Sequence, residues 1–549
     1  MFKNNKLALS PIQYACLVAA GLNLSASASN ASSIDAFFES FVHDVSSGSA
    51  YAAPPLGDPI PTLSRIAPAH YADDEGELID RGSPRVISNA VSRPEYAVAD
   101  EAEPLTNLAV AMLQLLASHE IASSPTGAEV INIAVPEDDP VASLVAGETV
   151  MVQDRSLAVG PVRQQENKVT PLFDGSTVYG SDEATTDLLR ENDGTGRMKI
   201  GANDTLPIIA GSPIAGDERA SENPNLQAVH RLFLAEHNRL ADHIAEQCVS
   251  EGVTCSGDQI FEGARTLVAA TQEKIFYDEL LPIFLNTDDL HSLLPDPSIL
   301  GTVSGAINEF TAGAGRIGHT KVPDTIKLQL PGETARDLPL AGCFFDADCL
   351  GDTTLAEQLY GLSQQETEPV DTVVNDTLRN AVVPAPHASF LIDLFSTNIN
   401  RGRDHGIPDY MALRSALGFA DAAIESLLPD YVLDAYPDYL TTGVDAIVGI
   451  FAEVRDPGNY LGDTARAMWA LQFLTLQNEH SFLTPGSSLE SYLDTVSMAG
   501  VISNNTWLEI SDLPSVFVVP AAPTNVPLPA GSLLLASGFG VLLARRRKG

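Results

Sequence analysis

The sequence predicts a mainly α-helical protein with few short strands, built as one large domain. Apolar residues recur at spacings of three and four over most of the chain after residue 105, which is the period of a helix. Strand patterns are few and short, as in GETVMVQ at 147–153. No internal repeat or second domain boundary divides the 549 residues, of which 44% are hydrophobic, enough for one large core.

The clearest helix is predicted for residues 225–247, where Leu226, Phe233 and His237 share one face. Weaker helical patterns lie near 258–285, 353–362, 387–396, 409–427 and 464–477. An earlier apolar face, which includes Leu115, ends at His119 in the stretch MLQLLASHEIA. A histidine on an apolar face is more often a hydrogen-bonded core residue than a functional one, and His237 is interpreted that way.

The two ends of the chain are predicted to be targeting segments rather than parts of the domain. Residues 1–28 have two lysines, an apolar stretch and the small-residue site ASA, the pattern of a cleaved signal peptide. An extended lead-in is expected over 29–62, the main domain over 63–515 and a linker over 516–525. In the final segment, 526–549, a short apolar run precedes an Arg/Lys cluster. It is either a plain anchor or, by resemblance, a sorting tail processed by exosortases of Gram-negative bacteria.

These ends predict export to the periplasm, cell surface or extracellular space. Apart from Cys16, in the predicted signal peptide, the cysteines fall into two close pairs, Cys248 with Cys255 and Cys343 with Cys349. Two local disulfides are expected in an oxidising compartment, and neither pair has the CxxC spacing of a metal site. The formal net charge of −41 would repel polyanions, which excludes nucleic acid as a partner.

Four short stretches concentrate the residue types that carry chemistry. They are DERASENP (217–224), GAGRIGHTKVPD (313–324), STNINRGRDHGIPDY (396–410) and TPLFDGSTVYGSD (170–182). The last alternates Thr170, Asp174 and Ser176, which suits a cation bound by oxygen atoms. Each stretch alone also has a structural explanation; RGRDHG, for example, is expected to form a turn.

In order and local sequence, these stretches resemble the animal-type haem peroxidases of the peroxidase–cyclooxygenase superfamily. The resemblance runs from LSRIAPAHYADD (63–74) and SPRVISN (83–89) to about residue 480, and RASENPNLQAVHRLFLAEHNRLA and NINRGRDHGIPDY are its most specific parts. It implies that 63–515 is a haem peroxidase domain that binds haem b. It also implies that hydrogen peroxide is reduced while small organic or (pseudo)halide donors are oxidised.

The resemblance also implies a role for each site residue. His119 would be the distal base for peroxide, and Arg219 the positive charge that stabilises the developing anion. His319 would be the proximal iron ligand, Asn398 the partner of its other ring nitrogen, and Arg401 the partner of a haem propionate.

Two further sets of residues match the family. Glu222 matches the residue that forms an ester with a haem methyl group. The expected calcium ligands, which would connect the distal helix with the DGS loop, are Glu120, Thr170, Leu172 (through its carbonyl), Asp174 and Ser176.

The distal motif departs from that of the halide-oxidising members. Those members have a Gln four residues before the distal His and an Asp immediately before it, where this chain has Leu115 and Ser118. The chain is therefore expected to have an apolar distal wall, weaker halide binding and at most one ester, through Glu222. Asn223 after Glu222 excludes a Met–haem sulfonium bond.

Two alternatives remain open beside the peroxidase. A fatty-acid dioxygenase of the same superfamily would need a tyrosine shortly before His319, where this chain has Arg316, Ile317 and Gly318. A surface or adhesive protein that kept the fold without catalysis would not need Arg219 or His319.

Overall fold

Helices are the main regular structure of the computed structural model, which describes residues 37, 41, 45, 61–73, 75–98, 104–141, 150–160, 162–346, 349–383 and 390–519. The α-helices are Pro84–Val91, Asn107–Met112, Ser176–Tyr179, Glu183–Leu189, Pro224–Ser250, Gly257–Ile275, Leu281–Leu285, Asn308–Thr311, Leu355–Ser363, Asp376–Arg379, Leu394–Asp404, Tyr410–Ala416, Asp430–Asp434, Tyr439–Thr442, Ala446–Ala452, Asp463–Glu479, Glu490–Leu493 and Met498–Asn505. Two π-helical segments, Leu113–His119 and Phe276–Leu280, continue α-helices. The 3₁₀ helices are Pro94–Tyr96, Ala202–Asp204, Leu290–Leu293, Pro297–Gly301, Ala314–Thr320, Leu340–Gly342, Ile424–Ser426 and Ile510–Asp512.

The strands form only short antiparallel pairs among the described residues. They are Thr126–Ala134 with Val150–Ser156, Ala158–Val159 with Gln164–Gln165, Ile208–Ile209 with Ser212–Pro213, Thr325–Leu328 with Arg336–Pro339, and Ala381–Val383 with Phe390–Ile392. The prediction of a mainly helical fold with few short strands is confirmed.

The core lies between the long helices. Pro224–Ser250, called here the long helix, packs along Gly257–Ile275, and Asp463–Glu479 is buried over most of its length. The long helix begins where the sequence directs it, because Asn223 accepts the Leu226 backbone N–H at 2.9 Å and Pro224 occupies the first turn. This start lies directly after the DERASE stretch and fixes its position relative to the core.

Three local predictions are wrong. The helix predicted over 387–396 begins only at Leu394, because Phe390–Ile392 pairs as a strand and Asp393 caps the helix that follows. That helix, Leu394–Asp404, contains most of the stretch predicted to be a turn. The helix predicted over 409–427 ends at Ala416, since Gly418 has a φ of +90° and redirects the backbone.

The segments predicted to be a signal peptide and a sorting tail, and most of the predicted lead-in, lie outside the described residues. Within the lead-in, Phe37 and Phe41 are helical and buried rather than extended. The predicted linker begins with Val516 and Phe517, which are buried and whose carbonyls accept hydrogen bonds from Thr106. No helix in the described part of the chain is long and apolar enough to cross a membrane.

Both predicted disulfides, Cys248–Cys255 and Cys343–Cys349, are formed. Each closes a loop of only a few residues. His237 is the core histidine that was predicted, because its ring contacts the Tyr179 hydroxyl at 2.9 Å and the Gly196 carbonyl at 3.0 Å.

Candidate active site

His119 ends a helix that changes its period midway. The helix begins at Asn107 with Thr106 as its cap, and from Leu113 to His119 it is π-helical. The Glu120 backbone N–H accordingly donates to the Leu115 carbonyl, five residues earlier, at 2.9 Å. We call Asn107–His119 the distal segment. In its π-helical part, residues five apart in the sequence lie on the same face.

His119 lies between two carboxylates in a buried position. Its Nδ1 is 3.8 Å from Oδ1 of Asp217, and its Nε2 is 3.9 Å from Oε2 of Glu222. Within the described residues, Nδ1 has no hydrogen-bond partner. Burial and then the charge of Arg219 hold the pKa of His119 well below its usual value. The imidazole is therefore neutral at physiological pH and able to accept a proton.

Arg219 is fixed beside His119 by a carboxylate that sequence reasoning missed. Asp217 accepts hydrogen bonds from the Arg219 backbone N–H at 2.7 Å, from Nε at 2.9 Å and from Nη2 at 2.6 Å. Arg219 also donates to the carbonyls of Ala122 and His119. Burial alone would raise the pKa of Asp217, but the Arg219 guanidinium holds it well below its ordinary value. The spacing Asp-x-Arg was the signal that could have identified this pair.

Glu222 contacts a glutamine of the distal segment. Gln114 Nε2 donates to Glu222 Oε2 at 3.0 Å, and Asn223 Nδ2 donates to Gln114 Oε1 at 3.2 Å. Glu222 is partly buried, and this burial raises its pKa to about 7 although Arg219 opposes the shift. The carboxyl group therefore exchanges its proton near neutral pH.

The expectation of an apolar distal wall formed by Leu115 is wrong. It took the residue four positions before His119, the offset of the glutamine in the halide-oxidising members, whereas Gln114, five positions before, is the side chain that meets Glu222 beside His119. Leu115 is fully buried in the hydrophobic core instead. Ser118, in the position of the second ester, donates to the Gly315 carbonyl at 3.3 Å and joins the distal segment to the helix of His319.

His319 lies in the 3₁₀ helix Ala314–Thr320, where Asn398 holds its ring. The Asn398 side-chain amide is 2.8 Å from Nδ1 of His319, and Asn398 also accepts from Arg316 at 3.1 Å. Among the described residues no hydrogen bond reaches Nε2, the other ring nitrogen. Burial and the charge of Arg316 lower the pKa of His319 to about 3. The ring is therefore a neutral donor with one nitrogen available.

Arg401 is held within its own helix rather than left free. It donates to Asp404 at 2.9 Å and to the Ser156 hydroxyl at 2.8 Å. Its charge, together with that of Arg219, contributes after burial to lowering the pKa of Arg316 to about 10. Three guanidinium groups thus act on one region, where Arg219 is paired with Asp217 and Arg401 with Asp404.

Three of the predicted calcium ligands, Glu120, Asp174 and Ser176, come together at the DGS loop. Glu120 accepts backbone N–H groups from Gly175 at 2.7 Å, Ser176 at 2.9 Å and Thr177 at 2.9 Å, so the carboxylate itself connects the distal segment with this loop. The Ser176 hydroxyl donates to the Glu120 carbonyl at 3.3 Å. Burial and then the nearby charge of Asp174 raise the pKa of Glu120.

Two buried carboxylates thus lie near each other at this loop. The Thr170 hydroxyl is also buried and has no hydrogen-bond partner in the described structure. Across the described residues, no group of three or more His, Cys, Asp or Glu side chains is arranged for a metal. A cation here would depend on two carboxylates and on neutral oxygens, the donor set that calcium accepts.

The fold and these residues define a peroxidase-type haem protein. The model of the family described as "Animal haem peroxidase" matches residues 50–511. The chain belongs to this family.

Its relatives include peroxinectin A of Dictyostelium discoideum, which is 30% identical over 343 residues, 58% of this chain and 61% of that protein. The solved structure of peroxidase A from the same organism has a TM-score of 0.71 at 25% identity and covers 84% of this chain and 96% of its own. A fatty acid alpha-dioxygenase of Oryza sativa shares the fold, with a TM-score of 0.67, 19% identity and coverage of 84% and 85%. The chain spans less than two thirds of the length of the curated relatives it matches first.

The family implies haem, and the residues present fit that cofactor. His319 provides a neutral imidazole whose Nδ1 lies against the Asn398 amide and whose Nε2 has no hydrogen-bond partner among the described residues. Such a ring can bind haem iron through Nε2 once its proton is on Nδ1. Arg316 lies near the charges of Arg219 and Arg401, which help to lower its pKa, and the propionates of a haem would counter this repulsion.

Proposed function

We propose that the protein is an exported haem peroxidase that reduces hydrogen peroxide and oxidises small organic or (pseudo)halide donors. The observation that carries the proposal is the neutral, buried His119 beside Arg219, near a second neutral histidine, His319. The two histidines are close enough that His319 contributes to lowering the pKa of His119. Bound haem would supply an iron centre that accepts two electrons from the donors and passes them to peroxide.

His119 and Arg219 would perform the proton and charge chemistry on the distal side. Nε2 of His119 would accept a proton from one peroxide oxygen and return it to the departing oxygen, a role worth about two to four orders of magnitude in rate. The low pKa of His119 supports this role, because the ring starts without a proton. Arg219, held by Asp217 and two backbone carbonyls, would stabilise negative charge without reorganising.

His319 would be the iron ligand through Nε2. This requires the ring proton on Nδ1, donated to the side-chain oxygen of Asn398, which would turn from Arg316 to the ring when haem is bound. Arg401 would pair with a haem propionate, a role supported by its position on the Asn398 helix. Glu222 would form the single ester to the haem. Support for one ester comes from Ser118, which has no carboxylate and whose hydroxyl bonds to Gly315.

A calcium ion would be bound by Glu120, Thr170, the Leu172 carbonyl, Asp174 and Ser176. The unpaired Thr170 hydroxyl and the two neighbouring carboxylates support the site. Chelation with EGTA is expected to lower the melting temperature of the haem-loaded protein, because a cation that binds the folded state stabilises it and its removal withdraws that free energy. An unchanged melting temperature, with no calcium found by elemental analysis, would contradict the site.

The shared fold supports the dioxygenase alternative, but this chain lacks the tyrosine that a dioxygenase would need shortly before His319. Arg316 stands three residues before His319 and donates to Asn398 and to the Thr311 carbonyl, and no tyrosine lies in Ala314–Thr320. The signal peptide and the exosortase-type tail remain our proposal for how the protein is exported and processed.

A peroxide-dependent oxidation screen of the haem-loaded protein tests the function. Phenols, iodide, bromide and thiocyanate are offered as donors, with a fatty acid under oxygen as the dioxygenase arm. We expect a Soret band and peroxide-dependent oxidation of phenols at least as fast as that of the halides. A protein that binds no haem would support the non-catalytic alternative, and oxygenation of the fatty acid without peroxide would support the dioxygenase.

A further inference from the structure

A chain of hydrogen bonds leads from the start of the long helix to Glu222. It begins at the Leu226 backbone N–H, which donates to Asn223 Oδ1 at 2.9 Å. Asn223 Nδ2 then donates to Gln114 Oε1 at 3.2 Å, and Gln114 Nε2 donates to Glu222 Oε2 at 3.0 Å. Two primary amides therefore separate a helix terminus from a carboxylate of the candidate site.

The helix terminus fixes the direction of this chain. The Leu226 N–H can only donate, so Asn223 must present its oxygen to the helix and its NH₂ group to Gln114. Gln114 must then accept through its oxygen and offer its own NH₂ group to Glu222. Neither amide can flip without leaving a donor opposite a donor or an acceptor opposite an acceptor. Glu222 consequently always receives an N–H, which favours its carboxylate form.

The π-helical turn makes the chain possible. Gln114 lies five residues before His119, and the π-helical turn, wider than an α-helical one, brings both side chains beside Glu222. Glu222 Oε2, the atom that accepts from Gln114, is also the atom 3.9 Å from His119 Nε2. The amide of Gln114 thus has one protein partner on its nitrogen and one on its oxygen.

We propose that Asn223 and Gln114 are positioning residues for Glu222, which keep its carboxylate ionised and aimed beside Nε2 of His119. This inference deepens the proposed function, because it rests on Glu222 being a residue of the haem site. In this proposal the Gln114 amide holds Glu222 and does not serve as a binding site for an anion.

Four other charged or titratable groups act on Glu222. Arg219 and Arg316 favour its ionised form, and Asp217 opposes it. His119 is neutral and contributes no charge at physiological pH. Burial is the largest effect and raises the pKa of Glu222 to about 7 against the two arginines and Gln114. A carboxyl group balanced near neutrality responds measurably to the loss of one hydrogen bond.

The test measures the pH midpoint of Glu222 in the haem-loaded protein before any peroxide is added. Infrared difference spectra against Glu222→Gln identify its carboxyl band, and Gln114→Leu removes the donor. We expect the midpoint to rise by about one pH unit in Gln114→Leu, the size of one charge-assisted hydrogen bond. Gln114→Asn, whose shorter amide does not reach Glu222, provides a second variant should the first fail to fold.

Asn223→Ser isolates the first step of the chain. Serine still caps the helix but its hydroxyl is too short to reach Gln114, so the midpoint should rise by a smaller amount with an unchanged melting temperature. The same substitution added to Gln114→Leu should have no further effect. Asn375→Ser, at the cap of the helix Asp376–Arg379, is the matched control and should leave the midpoint unchanged.

An unchanged midpoint in Gln114→Leu or Gln114→Asn would overturn the positioning role, and additive shifts in the double variant would overturn the relay through Asn223. Failure of the ester is a separate result. It would be seen as the absence of a Glu222–haem peptide from the wild-type protein after peroxide treatment, while the midpoints still decide the role of Gln114.

Discussion

Replacement of Asp217 by asparagine should reveal how firmly Arg219 must be held. The substitution keeps the shape of the side chain but removes the charge that receives three hydrogen bonds from Arg219. Hydrogen bonds to charged groups contribute about 1.5–3 kcal/mol each when buried. The Arg219 side chain is 23% exposed, so water compensates part of this loss. We expect Asp217→Asn to lower the free energy of unfolding by about 2–3 kcal/mol.

The rate of peroxide reduction should fall about ten- to a hundredfold, because a loosely held guanidinium must reorganise in the transition state. Stopped-flow measurement of the Soret change on adding peroxide gives the rate, and urea unfolding gives the stability. Glu218→Gln is the matched control, since it removes a charge near Arg219 from an exposed residue whose ion pair, within the described residues, is with Lys168; the free energy should change by less than about 0.5 kcal/mol.

The stability difference should also depend on pH. The folded pKa of Asp217 lies below its unfolded value near 4, so its contribution is complete above pH 4 and is lost as the pH falls towards the folded pKa. Wild type and Asp217→Asn should therefore converge in stability in acid. Equal stabilities and equal peroxide rates at pH 7 would refute the reasoning that Asp217 fixes Arg219.

Three further predictions concern the haem itself. His319→Ala should abolish the native Soret spectrum while His237→Ala retains it, and a native spectrum in His319→Ala would refute the proximal ligand. His119→Ala should bind haem but react with peroxide about two to four orders of magnitude more slowly in stopped-flow, and an undiminished rate would exclude it as the distal base. After peroxide treatment, mass spectrometry should find one haem-linked peptide, containing Glu222 and absent from Glu222→Gln; a second one containing residues 112–122 would contradict the single ester.

The regular parts of the fold could be predicted from sequence because they repeat with the α-helical period. The long helix was expected over 225–247 and extends from Pro224 to Ser250, and its capping residue precedes a proline as such starts usually do. The stretch that contains Asn398 and Arg401 was expected to be a turn because it is rich in glycine and charge. Its helix forms because the buried side chains, among them Asn398 and Arg403, find charged or polar partners elsewhere in the chain.

Site residues could be predicted where the residue type itself indicates the chemistry. Residues that matter through the hydrogen bonds they make with other site residues were harder to predict. His319 and Asn398 are adjacent, as the resemblance implied. Asp217 was missed because its importance lies in the bonds it makes with Arg219, two residues away in a loop without a regular period. Gln114 was missed because the helix around it was assumed to have the α-helical period throughout.

The π-helical turn of the distal segment has a consequence for the comparison of related sequences. A fixed offset from a catalytic histidine identifies the residue on the same wall of a pocket only while the helix keeps one pitch. A π-helical turn can accommodate one extra residue. The side chain before that residue then keeps its place in the pocket, although its offset in the sequence grows by one. A classification by the residue four positions before the histidine would assign leucine to this chain. The side chain that lies with the histidine beside Glu222 is a glutamine.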